Sequence, residues 1–446
     1  MTRPPRILDA GDGRDSGAGH GPGFRLSSDE GQSYGHGRRR GDGSGAPVAG
    51  SGRLHVVRYA PAKLNLTLAV VGRRSDGYHS LHSVMVPLTL GDALTVSAAP
   101  AGATEDALII SGLALAATPD NLVMRAIEAT RAAVGASAQR EPGLGVAAET
   151  PLLTARLVKR IPMAAGLGGG SSDAAAAMDA ALGVWNATLT AAQATDVAAS
   201  LGSDVPFFLA RGAALVTGRG EFVEPLPQLK GEPPAVLLVT PQLPIPTAAV
   251  FAAFAGGLAR RPPAGPRPPA TPPLPARSTS RALAVSVSLA AAMRSGLAVH
   301  GLLELAADLA GANDLLPATQ SVAPNLPEFM EALSELLGRP IGLSGSGPTL
   351  WALYPSLPEA RKAARIVRLG TLDGRLPVVG TGEPFVVATS MAVRPDDLPD
   401  ADRDMNTGRP AHTLRPSTVH NGFDDPVRRP SGSAAHPHSP KGDDSR

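Results

Sequence analysis

Apolar residues recur along this chain with two different periods, which predict a mixture of strands and helices. In residues 121–134, Leu122, Ala126 and Ala129 fall on one stripe, as on the buried face of a helix. The other predicted helices cover residues 171–182, about 248–255, about 301–310 and 327–337. Strands are predicted at residues 55–71 (one strand or a pair), 93–98, 107–111, 152–161, 235–240, 349–354 and 385–390. This mixed order, with segregated strands and helices, favours an α+β fold in two lobes.

Three stretches show neither period and are rich in Gly, Pro or charge. Residues 1–53 and 394–446 hold only isolated apolar residues, so they cannot bury enough surface to offset the entropy of ordering. We therefore expect both to be disordered tails. Residues from about 258 to 281 include eight prolines and are typical of an extended surface insertion. The predicted lobes are residues 54–230 and residues 231–393, with the insertion in the second lobe.

Composition agrees with this division and excludes several classes of site and partner. The 446 residues include 50 Gly and 44 Pro, both above average usage, and much of the excess lies in the tails and the insertion. Cys is absent, which excludes disulfides and thiolate metal sites. The formal net charge of +2 does not indicate a nucleic-acid partner, and no apolar run is long enough to span a membrane. The start lacks the apolar region of a signal peptide, so we expect a cytoplasmic protein.

The strongest chemical signal is the sequence PMAAGLGGGSSD at residues 162–173, between a predicted strand and a predicted helix. Glycines allow the backbone to approach a ligand, and the start of a helix offers unpaired N–H groups to an anion. The motif therefore predicts a phosphate-binding loop. It lacks the Gly-Lys-Ser/Thr of a Walker A loop, and after Gly166 and Gly168 it lacks the third glycine or alanine of a dinucleotide fingerprint. An ordinary turn between strand and helix is the simpler alternative.

A row of polar side chains lies in the apolar segment APAKLNLTL at residues 60–68. Side chains alternate between the two faces of a strand, so Lys63, Asn65 and Thr67 share one face while leucines occupy the other. A single lysine on a strand is usually solvated. A Lys-Asn-Thr row in such an apolar segment is more typical of a polar site.

Three shorter segments carry weaker signals. The turn sequence GRRSDGYH ends in Tyr78 and His79, which could stack on and hydrogen-bond a base or could simply pack the turn. In GSDVPFF at residues 202–208, Asp204 is a candidate for a partly desolvated base, although capping a helix is the commoner use of an aspartate in this setting. The small-residue loop GLSGSGPT at residues 342–349 is weak evidence by itself.

Taken in their order along the chain, the five segments resemble the GHMP kinase superfamily of small-molecule kinases. The most similar members are those that act on a cytidine diphosphate-linked methylerythritol. The similarity lies in the sequence PAKLNL, the turn GRRSDGYH and the form of residues 162–173, which are called the glycine loop below. The resemblance spans about residues 59–392 apart from the Pro-rich insertion. It implies an N-terminal ribosomal-protein-S5-like lobe and a C-terminal α/β-plait lobe. It also implies ATP-dependent phosphorylation of a hydroxyl, the 2-hydroxyl, of that substrate in non-mevalonate isoprenoid synthesis.

The resemblance further implies a role for each matching residue. Lys63 and Asp204 would form the catalytic pair, in which Asp204 accepts the proton of the attacking hydroxyl. The ATP phosphates would be held by Pro162, Met163, Ala164, Ala165, Gly166, Leu167, Gly168, Gly169, Gly170, Ser171 and Ser172. The substrate would be bound by Asn65, Tyr78, His79, Thr247 and Phe251, with Tyr78 and Phe251 stacking on cytosine. Mg²⁺ is implied as well, held mainly by phosphates and a loop serine, because the sequence shows no dense carboxylate cluster.

Several alternatives stay open at this point. Asp173 is a rival for the base, but a carboxylate inside a phosphate loop would repel a triphosphate. Another GHMP kinase, of the homoserine or mevalonate type, needs no cytosine-stacking aromatics, and a non-catalytic nucleotide-binding protein needs no Lys-Asp pair. A dinucleotide dehydrogenase is disfavoured by the loop pattern. Because the family-like sequence begins only near Val57, we also hypothesise that the residues before it are partly a start-site artefact, which an intact-mass measurement would test.

Overall fold

The computed structural model describes residues 55–113, 120–140, 149–259 and 280–392. Both predicted tails and most of the Pro-rich insertion lie outside these residues. The described ends of the insertion are helical rather than extended, since one helix runs to Ala259 and the next begins at Arg281. Among the described residues, no helix combines the length and the apolar character that a membrane crossing requires.

A mixed sheet organises the first half of the described chain. Its strands are β1 (His55–Asn65), β2 (Ala69–Arg73), β3 (His79–Ala98), β4 (Ala107–Gly112), β5 (Leu153–Lys159), β6 (Ala214–Gly218) and β7 (Phe222–Pro225). The 20-residue strand β3 is its centre, because β1, β2, β5 and β6 all pair with it antiparallel. β4 joins β5 in parallel, and β7 joins β6 antiparallel. The apolar pattern predicts only the end of β3, since Ser80, His82 and Ser83 interrupt the alternation earlier in the strand.

One helix of this half is largely buried. The four helices here are α1 (Leu122–Arg140), α2 (Gly169–Trp185), α3 (Ala191–Leu201) and α4 (Val205–Leu209). The surface of α2 consists largely of small side chains such as Ala174 and Ala177, which allow the helix to lie directly against β1. Its alanines share a core with Leu94 and Leu157 of the sheet. The glycine loop that leads into α2 is therefore attached to a closely packed element.

An antiparallel sheet organises the second half. Its strands are β8 (Ala235–Thr240), β9 (Gly342–Leu343), β10 (Leu350–Tyr354) and β11 (Phe385–Ser390), in the order β11-β8-β10-β9. Its helices are α5 (Thr247–Ala259), α6 (Arg281–Arg294), α7 (Val299–Glu304), α8 (Ala306–Ala310), α9 (Leu316–Val322), α10 (Leu326–Leu337) and α11 (Leu357–Leu372). Every residue of β8 is buried because both faces of the sheet are covered. On one face Leu237 packs in a core with Phe329 and Val367, and on the other Leu238 shares a core with Leu64 of β1.

The end of the described chain returns to the first sheet. The N–H of Ala392 donates to the carbonyl of Pro87 at 2.8 Å. The N–H of Ser390 donates to Thr89 Oγ1 at 3.0 Å, and Met391 between these two residues is fully buried. The middle of β3 is therefore paired with the end of the described chain, where Ser390 lies 301 positions after Thr89.

The predicted α+β fold is confirmed, and the differences lie in particular elements. The helix predicted at residues 301–310 is two short helices that meet at Leu305. The elements that the apolar pattern does not predict are β6, β7, β9, α3, α4, α6, α9 and α11. The lobe boundary that we proposed at residues 230 and 231 falls between β7 and β8, which are the last strand of the first sheet and the first strand of the second.

Candidate active site

A cleft of about 1070 Å³ opens between β1, the start of β3, the glycine loop, and the starts of α4 and α5. The predicted site residues that line it are Lys63, Asn65, Tyr78, His79, Pro162, Met163, Ala164, Ala165, Gly166, Gly168, Gly169, Gly170, Ser171, Asp204, Thr247 and Phe251. Leu167 is instead buried in the core, and Ser172, which is 1% exposed, lines a second and smaller cavity. The side chains of these two residues therefore do not line the cleft.

Lys63 and Asp204 meet in this cleft. Lys63 Nζ is 3.6 Å from Asp204 Oδ2, on a lysine side chain that is only 4% exposed. The same Nζ donates to Asn65 Oδ1 at 2.5 Å. Asn65 is fixed in turn, since its Nδ2 donates to Ser83 Oγ at 2.9 Å. A buried, well-held cation thus lies beside a carboxylate that is 33% exposed.

The structure separates the two interpretations of Asp204. Asp204 does occupy the N-cap position of α4, but its side chain makes no capping hydrogen bond. Its carboxylate therefore does not satisfy the helix N–H groups, as a capping aspartate would. The side chain is free for other chemistry in the cleft.

The glycine loop has a geometry that only glycine suits. Gly166 and Gly168 have φ of +77° and +68°, in the left-handed region. A Cβ on Gly166 would lie 2.3 Å from the carbonyl oxygen of Ser344, and one on Gly168 would lie 2.9 Å from Lys63 Cγ. No side chain caps the start of α2. Its first N–H groups and the positive end of the helix dipole can therefore hold an anion.

The small-residue loop at residues 342–349 is hydrogen-bonded to the glycine loop. Ser344 Oγ donates to the carbonyl of Gly166 at 3.0 Å, and the N–H of Thr349 donates to the carbonyl of Ala165 at 3.3 Å. Gly345 and Ser346 reach the cleft itself. The Gly and Ser residues at positions 342–349 are visible in the sequence, but the sequence alone does not show that they belong to the site. Their contact with the glycine loop shows it.

A buried ionic network lies under the glycine loop. Lys159 Nζ donates to Asp173 Oδ2 at 2.6 Å and also to Asp92 Oδ2. Asp92 accepts a further hydrogen bond from the N–H of Ile161 at 2.9 Å. Burial and the charge of Asp92 raise the pKa of Asp173 to about 8, although Lys159 opposes the shift. The carboxyl group in the phosphate loop is paired with Lys159, so it repels an anion less than the sequence suggests. Its side chain is only 5% exposed, so it is less accessible to a substrate hydroxyl than Asp204, which is 33% exposed.

We expect Asp173 to make the stability of the protein depend on pH. An unfolded aspartate has a pKa of about 3.9. The folded value is about 8. Between these values the folded state binds more protons, so the free energy of unfolding should fall as pH rises from about 4 to about 8. Denaturant titrations of wild type and Asp173→Asn across this range should show that the free energy of unfolding depends less on pH in the variant. Equal slopes would contradict the raised pKa of Asp173.

Aromatic and basic side chains line the other side of the cleft. Tyr78 is 53% exposed, and the guanidinium of Arg219 lies 5.4 Å from the centre of its ring. The His79 ring stacks on Phe251 with centroids 5.3 Å apart. Burial, helped by the charge of Arg73, lowers the pKa of His79, which favours the neutral imidazole. Flat apolar surfaces beside a neutral hydrogen-bonding ring suit a nucleobase, and Arg219 is a member of this group that no motif indicates.

Comparison with known proteins places this chain in a family. The family model of the GHMP kinases N terminal domain matches residues 121–212, and that of the GHMP kinases C terminal matches residues 292–369. A 4-diphosphocytidyl-2-C-methyl-D-erythritol kinase of Pelotomaculum thermopropionicum is 36% identical over 329 residues, which are 74% of this chain and 99% of the relative. Another, of Paramagnetospirillum magneticum, is 36% identical over 312 residues, which are 68% of this chain and 91% of the relative.

Solved structures share the fold. A crystal structure of 4-(cytidine 5'-diphospho)-2C-methyl-D-erythritol kinase is 28% identical, with a TM-score of 0.50 over 75% of this chain and 99% of that chain. An L. major mevalonate kinase in complex with R-mevalonate shares only the fold, at 14% identity and a TM-score of 0.52 over 76% of this chain and 96% of that chain. From these relatives, this chain belongs to the 4-diphosphocytidyl-2-C-methyl-D-erythritol kinase family of the GHMP kinases.

Proposed function

We propose that this chain transfers the γ-phosphoryl group of ATP to the 2-hydroxyl of 4-(cytidine 5'-diphospho)-2-C-methyl-D-erythritol, in non-mevalonate isoprenoid precursor synthesis. The observation that carries the proposal is the arrangement of the Lys63–Asp204 pair, the glycine loop and the aromatic side chains around one cleft. The names of the relatives supply the substrate. ATP and a substrate that carries a diphosphate are both retained inside a cell, which supports the cytoplasmic location that we expect.

Asp204 is the base in this proposal. Phosphoryl transfer depends on in-line positioning and charge stabilisation more than on covalent chemistry. The carboxylate of Asp204 faces the cleft, where it accepts the proton of the attacking hydroxyl. Lys63 Nζ, 3.6 Å away, places a positive charge beside the oxygen that becomes negative as this proton leaves. Asn65 holds Lys63 in this position.

The glycine loop is the proposed ATP site. The phosphates lie against the backbone from Gly166 to Gly170, at the start of α2, where Ser171 adds a hydroxyl. The names of the relatives support ATP as the donor, because they are kinases of the GHMP group. The side chains of Leu167 and Ser172 have no part in this site.

Mg²⁺ is the proposed companion of ATP. Among the described residues, no three His, Asp or Glu side chains converge as they would in a metal cage made by protein alone. Mg²⁺ usually needs only one or two protein oxygens, because phosphates and waters complete its octahedron. The unpartnered Oδ1 of Asp173 and the hydroxyl of Ser171 are oxygens of this kind beside the cleft, so the site fits the ion. When bound, Mg²⁺ would neutralise charge on the phosphates.

Cytosine recognition is assigned to the aromatic side of the cleft. Tyr78 and Phe251 provide stacking surfaces, and the imidazole of His79 hydrogen-bonds the edge of the base. Thr247, whose Oγ1 lies 3.0 Å from Ser346 Oγ, adds a polar contact at the start of α5. A kinase for homoserine or mevalonate has no use for such surfaces.

Tyr78→Ala should weaken substrate binding more than it slows turnover. Loss of a stacking surface costs about 1–3 kcal/mol per base. We therefore expect the KM for the cytidine-linked substrate to rise about tenfold or more, with the KM for ATP nearly unchanged. Steady-state kinetics with each substrate varied would measure both. Tyr78→Phe keeps the ring and is the matched control, so an unchanged substrate KM in Tyr78→Ala would refute the stacking role.

A competition assay tests the function as a whole. The purified protein is given ATP, Mg²⁺ and either the cytidine-linked methylerythritol, homoserine or mevalonate, and the phosphorylated product is measured. We expect the highest kcat/KM with the cytidine-linked substrate. A higher kcat/KM with either competitor would overturn the substrate assignment, and no product with any of the three would favour the non-catalytic alternative.

A further inference from the structure

A chain of hydrogen bonds runs from Lys63 to the backbone of Thr67. Lys63 Nζ donates to Asn65 Oδ1 at 2.5 Å, and Asn65 Nδ2 donates to Ser83 Oγ at 2.9 Å. Ser83 Oγ donates in turn to the carbonyl oxygen of Thr67 at 2.6 Å. All four residues are buried, and Ser83 has no exposed surface. Each polar group therefore depends on its partner in the chain, because water does not replace it.

The two ends of this chain fix its direction. The ammonium group of Lys63 can only donate hydrogen bonds, and the carbonyl oxygen of Thr67 can only accept them. The Ser83 hydroxyl has one proton, which goes to Thr67 at 2.6 Å. Its oxygen is then an acceptor, so the NH₂ group of Asn65 must face Ser83. The amide oxygen of Asn65 is left to face Lys63.

The carbonyl of Thr67 is available to a side chain because of how the strand pairing ends. Strand β1 ends at Asn65, two residues before Thr67. There the N–H of Val84 in β3 donates to Thr67 Oγ1 at 3.0 Å, instead of to a backbone oxygen. The backbone oxygen of Thr67 accepts from Ser83, the residue before Val84. The third member of the polar row on β1 thus serves the first two from outside the cleft.

Without the Ser83 hydroxyl, either end of the Asn65 amide can face Lys63. An asparagine amide can turn by 180° at little cost, because its two orientations have nearly the same shape. In the turned orientation the NH₂ group points at the Lys63 ammonium, and two donors form no hydrogen bond. Lys63 Nζ then loses the partner that holds it 3.6 Å from Asp204 Oδ2.

We propose that Ser83 is a positioning residue for phosphoryl transfer. Its hydroxyl keeps the amide oxygen of Asn65 toward Lys63, so the ammonium group stays beside Asp204. This inference rests on the proposed function, in which Lys63 stabilises the negative charge that develops on the attacking oxygen. Ser83 does not line the cleft, so it acts through Asn65 and affects the chemical step rather than binding.

Ser83→Ala should lower kcat about 10- to 100-fold, the value of one hydrogen bond to a charged group. The KM values for ATP and for the cytidine-linked substrate should stay within about twofold of wild type. Ser286→Ala is the matched control and should keep the wild-type kcat. Ser286 is also a serine with no exposed surface, but its Oγ accepts from Thr67 Oγ1 at 2.8 Å and does not contact Asn65.

A double-mutant cycle separates positioning from a general effect on the fold. If Ser83 acts through Asn65, adding Ser83→Ala to Asn65→Ala should lower kcat by less than about threefold. A larger further loss would overturn the proposal, and so would a wild-type kcat in Ser83→Ala. Thermal unfolding checks that the variants fold. If Ser83→Ala does not, Ser83→Cys carries the test, because its thiol keeps the shape but bonds weakly, and it should also lower kcat.

The geometry is tested by NMR without any kinase activity. The sequence has seven asparagines, so labelling at asparagine nitrogen gives few side-chain amide signals, and Asn65→Ala identifies that of Asn65. Exchange of this buried amide with solvent hydrogen should be at least about tenfold faster in Ser83→Ala and unchanged in Ser286→Ala. Unchanged exchange in Ser83→Ala would overturn the proposal. The expected exchange in a protein that phosphorylates none of the offered substrates would refute the proposed function and leave the hold of Ser83 on Asn65 intact.

Discussion

Asp204→Asn should lower kcat by about 10²–10⁴-fold, because an amide cannot accept the proton of the attacking hydroxyl. Asparagine has nearly the shape of aspartate. The lost carboxylate makes no capping hydrogen bond, so α4 should not be disturbed. ATP binding at the glycine loop should stay close to that of wild type. Steady-state turnover and an equilibrium measurement of ATP binding provide the two quantities.

The control for this variant is Asp196→Asn, at an exposed position on α3 away from the cleft, which should keep normal turnover. Near-normal turnover of Asp204→Asn would refute the assignment of Asp204 as the base. Loss of ATP binding with little further effect on turnover at saturation would instead assign Asp204 to the nucleotide site.

Lys159→Met should lower the free energy of unfolding by about 3–5 kcal/mol, the usual effect of removing one partner from a buried ion pair. The substitution leaves Asp92 and Asp173 without their shared cation, and the Asp92 side chain has no exposed surface. Methionine has a similar length, so the change is mainly one of charge and hydrogen bonding. Denaturant unfolding at neutral pH measures the difference.

Lys362→Met is the matched control, because Lys362 is exposed on α11, and it should change the free energy of unfolding by less than about 0.5 kcal/mol. Adding Asp173→Asn to Lys159→Met should change the free energy of unfolding little further, because the pKa of Asp173 is already raised and its carboxyl group is neutral at neutral pH once Lys159 is gone. A loss below about 1 kcal/mol in Lys159→Met would show that the network contributes little to the native state.

The glycine loop could be predicted because its chemistry is local. The glycines, the serine and the start of the helix all lie within residues 162–173, and the positive φ of Gly166 and Gly168 is a property of the same stretch. The Lys63–Asp204 pair is different. A polar row on a strand indicates a site, but no local pattern joins two residues so far apart, and their pairing follows from the family resemblance.

The ionic network under the loop could not be predicted, for the same physical reason. Asp92 is 67 positions before Lys159, and the two meet only when β3 pairs with β5. From the motif alone, an acid after the glycines is expected to repel phosphate, and only the contact with Lys159 changes that conclusion. Helix α6 was missed because it is buried against the first sheet, as Leu289 and Met293 show, and its run of Ala, Val and Ser has no clear polar face.

The return of the chain to β3 has a consequence for its synthesis. A nascent chain emerges from the ribosome with its N-terminus first, so β1, β2 and β3 are available early. Leu88, fully buried in the middle of β3, nevertheless has its bridge partner in Met391. This part of the strand stays uncovered until about 300 further residues have been translated. A ribosome stalled before residue 385 therefore carries an open apolar edge, which is the kind of surface that chaperones bind and that aggregates when they do not.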